Sequence, residues 1–358
     1  MRLAISTGGG DAPGLNAVIR AIVLSALSRS WEVLGIKRGF GGLLGEDDVV
    51  SLTRESVRGI AHMGGTILRT TNRGNPFKFP RARTDGTFEE VDRSNELLSN
   101  ARQMGIDALV VIGGDGSLAI ADRLSDKGMR IVGVPKTIDN DVAGTITTFG
   151  FDTAVNTALE AIDRLHTTAE SHDRLMLVEV MGRSAGWIAL FSGIAGGADT
   201  ILLPERPFDL DEVASVLRRR HLTGHTFSIV VVAEGAMPAE GTMPAPEYAT
   251  DPRGGLRLGG IAYQIAPRIE ALTGWETRVT VLGHVQRGGS PVAADRIVAT
   301  RFGEAAIELV AEGGFGQMVA LHGDRIGQVP LAEAAKVRPV PEELVTVAEL
   351  FFEERRRP

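Results

Sequence analysis

The feature that most constrains the fold of this chain is an alternation of short apolar runs with longer amphipathic stretches. Nine runs rich in β-branched residues predict strands at 3–6, 33–36, 108–112, 131–134, 175–180, 200–203, 228–233, 278–282 and 318–321. Helices are predicted between them at 15–28, 93–104, 117–127, 153–168, 211–220, 258–272 and 293–311. Such alternation is typical of parallel sheets joined by right-handed crossovers. We therefore predict an α/β fold.

The length of the chain and its loops favour two domains. A chain of 358 residues exceeds what a single hydrophobic core usually serves. Loops follow the ends of six predicted strands, at Gly8, Gly113, Pro135, Met181, Glu234 and Gly283. Ligands of parallel sheets bind beyond the carboxyl ends of strands, and six such loops are too many for one sheet. We expect two doubly wound, Rossmann-like parallel-sheet domains with the active site in the cleft between them.

Composition excludes several classes of function. A net charge of −7 argues against nucleic-acid binding, and no apolar run approaches the roughly 20 residues of a membrane span. The chain has no cysteine, which excludes disulfides and thiolate catalysis and fits a reducing compartment. The first predicted strand begins at residue 3, without a signal-peptide pattern. We expect a cytoplasmic protein that binds neither nucleic acid nor membranes.

Two loops in the first half of the chain carry the strongest chemical signal. Residues 113–117 read Gly-Gly-Asp-Gly-Ser, and residues 135–141 read Pro-Lys-Thr-Ile-Asp-Asn-Asp. Glycines let a backbone approach a phosphate closely, while carboxylates beside a phosphate need a cation or a proton between them. Asp115 is therefore a candidate Mg²⁺ ligand, and Asp139 or Asp141 a candidate general base. This combination predicts phosphoryl transfer.

A third loop supports a nucleotide site. Residues 8–16 read Gly-Gly-Gly-Asp-Ala-Pro-Gly-Leu-Asn between a predicted strand and a predicted helix. The backbone N–H groups and the helix dipole favour a phosphate there. The loop is neither the dinucleotide fingerprint nor a Walker A loop, so those two interpretations lack support.

These three loops, together with Met181-Gly182-Arg183 and the Leu-Gly-His-Val-Gln-Arg-Gly-Gly-Ser segment at 282–290, resemble the 6-phosphofructokinase family. The motifs occur in family order and cover nearly the whole chain. The resemblance implies transfer of the γ-phosphoryl of ATP to the 1-hydroxyl of fructose 6-phosphate. It also implies a homo-oligomer, a dimer or tetramer, with small molecules as its other partners.

The resemblance assigns the donor side residue by residue. Asp139 matches the general base, while Thr137 and Asp141 match positions that hold the transferring phosphoryl and its metal. Asp115 matches the Mg²⁺ position, so that Asp115 and Asp141 are the implied metal ligands. The implied nucleotide contacts are Gly10, Arg73, Gly114, Asp115, Gly116 and Ser117. Arg69 competes with Arg73 for its role.

The resemblance also assigns the sugar-phosphate side. Thr137 and Asp139 are joined there by Arg174, Met181, Gly182, Arg183, Glu234, Arg278, His284 and Arg287. Arg174 and Arg278 match arginines that reach into the site of a neighbouring subunit. Arg183 is expected to act in catalysis as well as in binding, because planar guanidinium groups suit phosphate oxygens.

Two positions bear on the choice of phosphoryl donor. Gly116 is what ATP-using members carry, where pyrophosphate users typically have Asp. Lys136 is what pyrophosphate users carry, where many bacterial ATP enzymes have Gly. The missing carboxylate at position 116 leaves room for the adenosine portion, so we favour ATP. The alternative is a pyrophosphate-dependent fructose 6-phosphate 1-phosphotransferase.

Other hypotheses remain. A non-catalytic regulator is weakened because Asp115 and Asp139 are both present. Diacylglycerol and NAD kinases share the Gly-Gly-Asp-Gly loop but are not expected to carry Arg183 and His284. We expect a donor domain formed by residues 1–150 and 286–336 and a fructose 6-phosphate domain formed by 151–285 and 337–358. Residues 236–257 are predicted to form a loop, and residues 351–358 a frayed helix end.

Overall fold

The computed structural model describes residues 1–45, 48–83, 86–244, 249–250 and 256–352. The chain forms two compact units. The first comprises Met1–Thr153 with Arg287–Val337, and the second Ala154–Gln286 with Arg338–Pro358. The assignment of a donor domain and a sugar-phosphate domain to these parts of the chain remains a prediction.

The first unit is built on a seven-stranded sheet in the order β15-β14-β7-β6-β1-β2-β3. Its strands are β1 (Arg2–Thr7), β2 (Glu32–Ile36), β3 (Val49–Ser51), β6 (Ala108–Gly113), β7 (Ile131–Pro135), β14 (Gln317–His322) and β15 (Arg325–Pro330). The five inner strands run parallel, while β3 and β15 pair antiparallel at the two edges. Every residue of β6 is buried, as expected of a parallel strand covered on both faces.

Helices and a hairpin complete the first unit. The helices are α1 (Leu15–Ser28), α2 (Ser94–Gln103), α3 (Asp115–Asp126), α8 (Ala293–Ala311) and α9 (Leu331–Ala334), and the hairpin is β4 (Phe79–Ala82) with β5 (Phe88–Val91). One buried cluster joins α1 and α8 to one face of the sheet, and a second lies under α2 and α3. The sheet is therefore covered on both faces.

The second unit is built on a four-stranded parallel sheet in the order β13-β8-β10-β9. Its strands are β8 (Leu175–Val180), β9 (Thr200–Leu202), β10 (Ser228–Ala233) and β13 (Thr277–Val281), with a short pair β11 (Ala249–Thr250) and β12 (Leu256–Arg257). Its helices are α5 (Trp187–Ala195), α6 (Leu210–Leu222), α7 (Ile261–Thr273) and α10 (Glu342–Phe352). Helix α4 (Phe151–His172) begins in the first unit and continues in the second.

The structure confirms an α/β fold with two mainly parallel sheets, and all nine predicted strands and seven predicted helices are present. The prediction was incomplete in several respects. It gave no element for α9 or for residues 342–350 of α10, and the short pair β11 and β12 lies within the loop predicted at 236–257. Helix α5 was missed because its residues are almost all apolar and show no amphipathic period. The antiparallel edge strands β3 and β15 make the first sheet mixed, and the hairpin of β4 and β5 was also missed.

Two predictions fall partly outside the described residues. Of the loop predicted at 236–257, residues 245–248 and 251–255 lie outside them, as do residues 353–358 of the predicted frayed end. Within the described ranges, no helix has the length and apolar character needed to cross a membrane.

Close packing of α1 against α8 generates a stability prediction at Gly303. A Cβ atom there would lie 2.7 Å from Ala21 Cβ and 2.9 Å from the Val18 carbonyl oxygen. Glycine to alanine in a helix normally stabilises by about 0.5–1 kcal/mol. We expect the opposite sign for Gly303→Ala, a loss of about 1–3 kcal/mol in the free energy of unfolding, because the helices must separate. Urea denaturation measures it.

The exposed Thr300→Ala substitution on the same helix is the control, and it should leave stability within about 0.5 kcal/mol. An increase in stability for Gly303→Ala would contradict the packing argument.

Candidate active site

Three loops of the first unit meet at one edge of its sheet because β1, β6 and β7 are neighbours and run parallel. The Gly8 amide donates to the Ile112 carbonyl at 2.9 Å, and the Lys136 amide donates to the Gly113 carbonyl at 2.9 Å. The backbones of the loops after β1, β6 and β7 are therefore joined to one another directly.

Side chains press closely on the first of these loops, at residues 8–14. A Cβ atom on Gly10 would lie 2.6 Å from Arg287 Nη1, which itself donates to the Asp11 carbonyl at 3.2 Å. A Cβ atom on Gly8 would lie 2.5 Å from Ser117 Oγ. A larger residue at either position would have to displace the guanidinium group or the hydroxyl.

A fourth segment, residues 62–73, is fixed to the first loop by hydrogen bonds. Thr70 Oγ1 donates to the Gly9 carbonyl at 2.6 Å, and the Gly9 amide donates to the Thr71 carbonyl at 3.1 Å. The Asn16 amide group accepts from Ile67 N at 2.9 Å and donates to the Met63 and Gly64 carbonyls. The two candidate nucleotide arginines in this segment, Arg69 and Arg73, are both exposed.

The second loop leads into α3, whose first residue is Asp115. Asp115 is half-buried, Gly116 is exposed and Ser117 is buried. A Cβ atom on Gly116 would meet no described atom within 4 Å. The N-terminus of α3 and the adjacent glycines favour a bound anion, since helix N–H groups and the helix dipole attract negative charge.

The third loop holds two buried carboxylates. Asp139 and Asp141 are each 3% exposed, and Asn140 between them has a φ of +54°. The Asp139 amide donates to Thr137 Oγ1 at 3.0 Å. Thr148 holds the loop through two hydrogen bonds: its amide donates to Asn140 Oδ1 at 3.1 Å, and its hydroxyl donates to the Thr137 carbonyl at 2.8 Å.

Lys136 lies at the electrostatic centre of these loops. Its side chain is buried and its ammonium donates to the Gly10 carbonyl. Desolvation, with a smaller contribution from the Arg287 guanidinium, lowers the pKa of Lys136 to about 8, while Asp139, Asp11 and Asp115 oppose the shift. Two cations and three carboxylates therefore act on one another within a single site.

In the second unit, buried side chains hold the backbone of residues 181–183. Gln286 Oε1 accepts from Met181 N at 2.9 Å, and Glu234 Oε1 accepts from Arg183 N at 3.0 Å and from Gly182 N at 3.3 Å. Arg183 has a φ of +51°, so these bonds hold a left-handed conformation that a non-glycine residue rarely adopts. Gln286 is fully buried, whereas His284 two residues earlier is exposed. Nothing in the sequence distinguishes Gln286, which holds the backbone, from the neighbouring residues predicted to bind substrate.

Both arginines predicted to act across subunits contact one carboxylate. Arg174 Nη2 lies 2.9 Å from Glu276 Oε1, and Arg278 Nη2 pairs with the same oxygen. The Arg174 hydrogen bond is the main cause that lowers the pKa of Glu276, with smaller contributions from Arg278. The two arginines are thus brought together on one surface of the second unit.

The carboxylates of the first unit suit Mg²⁺ carried by a phosphorylated ligand. Among the described residues, no group of three or more histidine, aspartate or glutamate side chains could hold a metal ion. Mg²⁺ is commonly bound by one or two carboxylates together with phosphate oxygens and water. Asp115, beside the anion-favouring start of α3, and the buried Asp141 fit that donor set.

The predicted residues therefore divide between the two units. The first holds Gly10, Arg73, Gly114, Asp115, Gly116, Ser117, Lys136, Thr137, Asp139, Asp141 and Arg287, and the second holds Arg174, Met181, Gly182, Arg183, Glu234, Arg278 and His284. Their individual roles remain predictions. Sequence reasoning missed the residues that hold the loops, chiefly Asn16, Thr70, Thr148 and Gln286.

Fold and site define an α/β protein of the class that binds anionic ligands at the ends of parallel strands. A family model described as phosphofructokinase matches residues 2–310. The chain belongs to the phosphofructokinase family.

Named relatives differ in their phosphoryl donor. The chain is 52% identical to an ATP-dependent 6-phosphofructokinase of Chloroflexus aggregans over 342 residues, 94% of this chain and 93% of the relative. It is 51% identical over 354 residues to a pyrophosphate–fructose 6-phosphate 1-phosphotransferase of Amycolatopsis mediterranei, covering 98% of this chain and 100% of the relative. Phosphofructokinase from Saccharomyces cerevisiae matches in structure with a TM-score of 0.78 and 33% identity, over 98% of this chain and 46% of the yeast chain.

The buried ammonium generates a prediction about pH. Because burial lowers the pKa of Lys136 from 10.5 to about 8, the folded protein binds fewer protons than the unfolded chain between these pH values. The stability of the native sequence relative to Lys136→Met should therefore rise as pH increases through this window, by roughly 3 kcal/mol at most. Chemical denaturation at several pH values measures the difference.

Lys78→Met, at an exposed lysine, provides the baseline for removing an ammonium at the surface. A Lys136→Met difference that falls with pH would contradict a desolvated ammonium.

Proposed function

We propose that this chain transfers the γ-phosphoryl of ATP to the 1-hydroxyl of fructose 6-phosphate, giving fructose 1,6-bisphosphate and ADP. The observation that carries the proposal is the arrangement around Lys136, where Arg287, Asp139, Asp11 and Asp115 all act on one buried ammonium. Cations neutralise phosphate oxygens and a carboxylate accepts the proton of an attacking hydroxyl, which are the requirements of phosphoryl transfer. Membership of the phosphofructokinase family and the names of both bacterial relatives support an enzyme of glycolysis.

Asp139 is the proposed general base. Its backbone is fixed by the Thr137 hydroxyl, and the whole loop rests on Thr148. A buried carboxylate held in this way is ready to accept the proton of the sugar 1-hydroxyl as that oxygen attacks phosphorus. Thr137 would contact the transferring phosphoryl group.

Asp115 and Asp141 are the proposed ligands of Mg²⁺, which when bound would neutralise charge on the donor phosphates. The protein's own contribution on this side is the anion-favouring start of α3, with Gly114, Gly116 and Ser117, and the narrow loop at Gly10. These backbone groups would orient the donor phosphates. Arg73 is the proposed arginine contact to the nucleotide.

The second unit supplies the proposed sugar-phosphate contacts. Met181, Gly182 and Arg183 are held by Gln286 and Glu234, so that Arg183 is presented from a fixed backbone. Arginines bind phosphate through paired N–H groups, and His284 adds a further donor. Glu234 accepts from the 181–183 backbone through one oxygen, and we propose that its other oxygen accepts from sugar hydroxyls.

Pyrophosphate is the second candidate donor because of Lys136, a buried cation in the donor site. The Amycolatopsis mediterranei relative, at 51% identity, is named for pyrophosphate, while the Chloroflexus aggregans relative, at 52%, is named for ATP. Identity therefore does not decide between them. Gly116 favours ATP, because the space beside it remains open for the adenosine portion.

The test of the proposal is a turnover assay with each donor, Mg²⁺ and fructose 6-phosphate. We expect turnover with ATP, and a fall in kcat of at least about 100-fold for Asp139→Asn, since a positioned base contributes roughly 10²–10⁴-fold. Asp163→Asn, at an exposed aspartate on α4, is the control and should leave kcat unchanged. Turnover with pyrophosphate alone would establish the second candidate.

Donor choice at position 116 has a matched pair of variants. Gly116→Asp adds a carboxylate where the structure has room for a side chain, so the fold should tolerate it. Repulsion of the donor phosphates should lower kcat/KM for ATP at least about tenfold. Gly116→Ala adds a methyl group without charge and should change kcat/KM for ATP much less. Equal effects of the two variants would show that shape, not charge, matters at this position.

We further propose a homo-oligomer, a dimer or tetramer, in the cytoplasm, where both substrates occur. Arg174 and Arg278 are the residues that would complete the site of a neighbouring subunit. Glu276 holds them side by side, in a position to act together on one phosphate group.

Subunit mixing tests this arrangement. Arg174→Ala and Asp139→Asn should each be strongly impaired, while hybrids of the two should regain activity, because one of their sites contains Arg174 and Asp139 in native form. Activity is measured after the two variants are co-expressed with different tags and purified through both. Hybrids no more active than either parent would show that Arg174 acts within its own subunit.

A further inference from the structure

A buried carboxylate lies behind the first-unit site, and none of the roles above uses it. Asp295, in the first turn of α8, is 1% exposed. Its Oδ1 accepts from Gly150 N at 2.8 Å, and its Oδ2 accepts from Thr153 N at 2.8 Å and from the Thr153 hydroxyl. Val292 N in turn donates to that hydroxyl at 3.0 Å. Asp295 therefore caps the start of α4 from another helix.

This arrangement has a cost in free energy. Burial raises the pKa of Asp295 to about 6, even though three hydrogen bonds oppose the shift. A short neutral side chain at the start of α4 itself would cap the helix without burying a charge. What such a local cap could not supply is a connection from α8 to the backbone of Gly150.

Gly150 lies against the first and the third loops of the first-unit site. A Cβ atom there would be 2.7 Å from Ala12 Cβ and 3.4 Å from Ile138 Cγ2. The two residues before it also contact the third loop: Phe149 pairs with Lys136 as a β-bridge, and Thr148 bonds to Thr137 and Asn140. Residues 148–150 thus connect the two: Gly150 is hydrogen-bonded to Asp295, and Thr148 is hydrogen-bonded to the loop that carries Asp139.

We propose that Asp295 is a positioning residue for phosphoryl transfer, acting through residues 148–150 on the loop that carries Asp139. The proposal rests on the function proposed above. Asp295 contacts neither substrate in this scheme; it sets the position of the base. A base displaced by a fraction of an ångström still permits substrate binding but slows the chemical step.

The test compares Asp295→Asn with Asp199→Asn. Asparagine keeps the size of Asp295 but turns an N–H₂ group toward one of its donors, so at least one bond is lost. Asp199 is a matched control in the second unit, also buried, accepting from Ile229 N at 2.9 Å and paired with Arg220. We expect kcat to fall about 10- to 100-fold in Asp295→Asn, with KM for both substrates within about twofold. Asp199→Asn should keep the native kcat.

Hydrogen exchange provides a readout that does not depend on activity. Amides of residues 136–141 should exchange faster in Asp295→Asn and at the native rate in Asp199→Asn. Thr153→Ser retains the hydroxyl and should keep native behaviour. Thr153→Val removes the hydroxyl but keeps the Gly150 bond, and it should show an intermediate effect.

The outcomes separate the two proposals. Native kcat and native exchange in folded Asp295→Asn would overturn the positioning role. If the native protein phosphorylates no sugar phosphate, the proposed function fails, and exchange still decides whether Asp295 controls the loop. If kcat falls and KM rises in both aspartate variants, the cause is general destabilisation, and this result would also overturn the proposal.

Discussion

The first-unit site depends on the parallel pairing of β1, β6 and β7. That pairing brings three loops, each of which would be an unremarkable turn alone, to one edge of the sheet, where their backbones bond to each other. Each loop contributes a different chemistry: glycines at residues 8–10, a carboxylate at the start of α3, and a buried acid with a lysine after β7. The proposed phosphate site, with the proposed base beside it, follows from the order of the strands.

The balance of charge in that site explains why cations and acids are interleaved. A buried ammonium is destabilised by desolvation and by Arg287, and stabilised by Asp139, Asp11 and Asp115. An arriving phosphate is attracted by the two cations and repelled by the acids, so the acids need a proton or a metal ion as it binds. The site is thereby suited to a donor that brings its own cation.

Sequence reasoning recovered the parallel strands of both sheets and most helices because β-branched runs and amphipathic periods are local signals. It also recovered the motifs, whose glycines and acids are adjacent in sequence. It missed α5, which is apolar on all sides, and the edge strands, whose pairing depends on a neighbour distant in sequence. Asn16, Thr148, Gln286 and Asp295 were missed for a related reason: their side chains act through hydrogen bonds to backbone groups 11 to 145 residues away.

The pairing of Arg174 and Arg278 with Glu276 bears on how a phosphate could be captured. Glu276 and Arg278 are about half exposed, and ion pairs between such side chains contribute at most about 1 kcal/mol. The Arg278 guanidinium can therefore leave the carboxylate for a phosphate at little cost, while Glu276 keeps it beside the less exposed Arg174 until then. The buried Asp295, by contrast, cannot exchange its partners without breaking the start of α4. The exposed Arg278 is thus suited to exchanging Glu276 for a ligand, and the buried Asp295 to holding the loop that carries the proposed base.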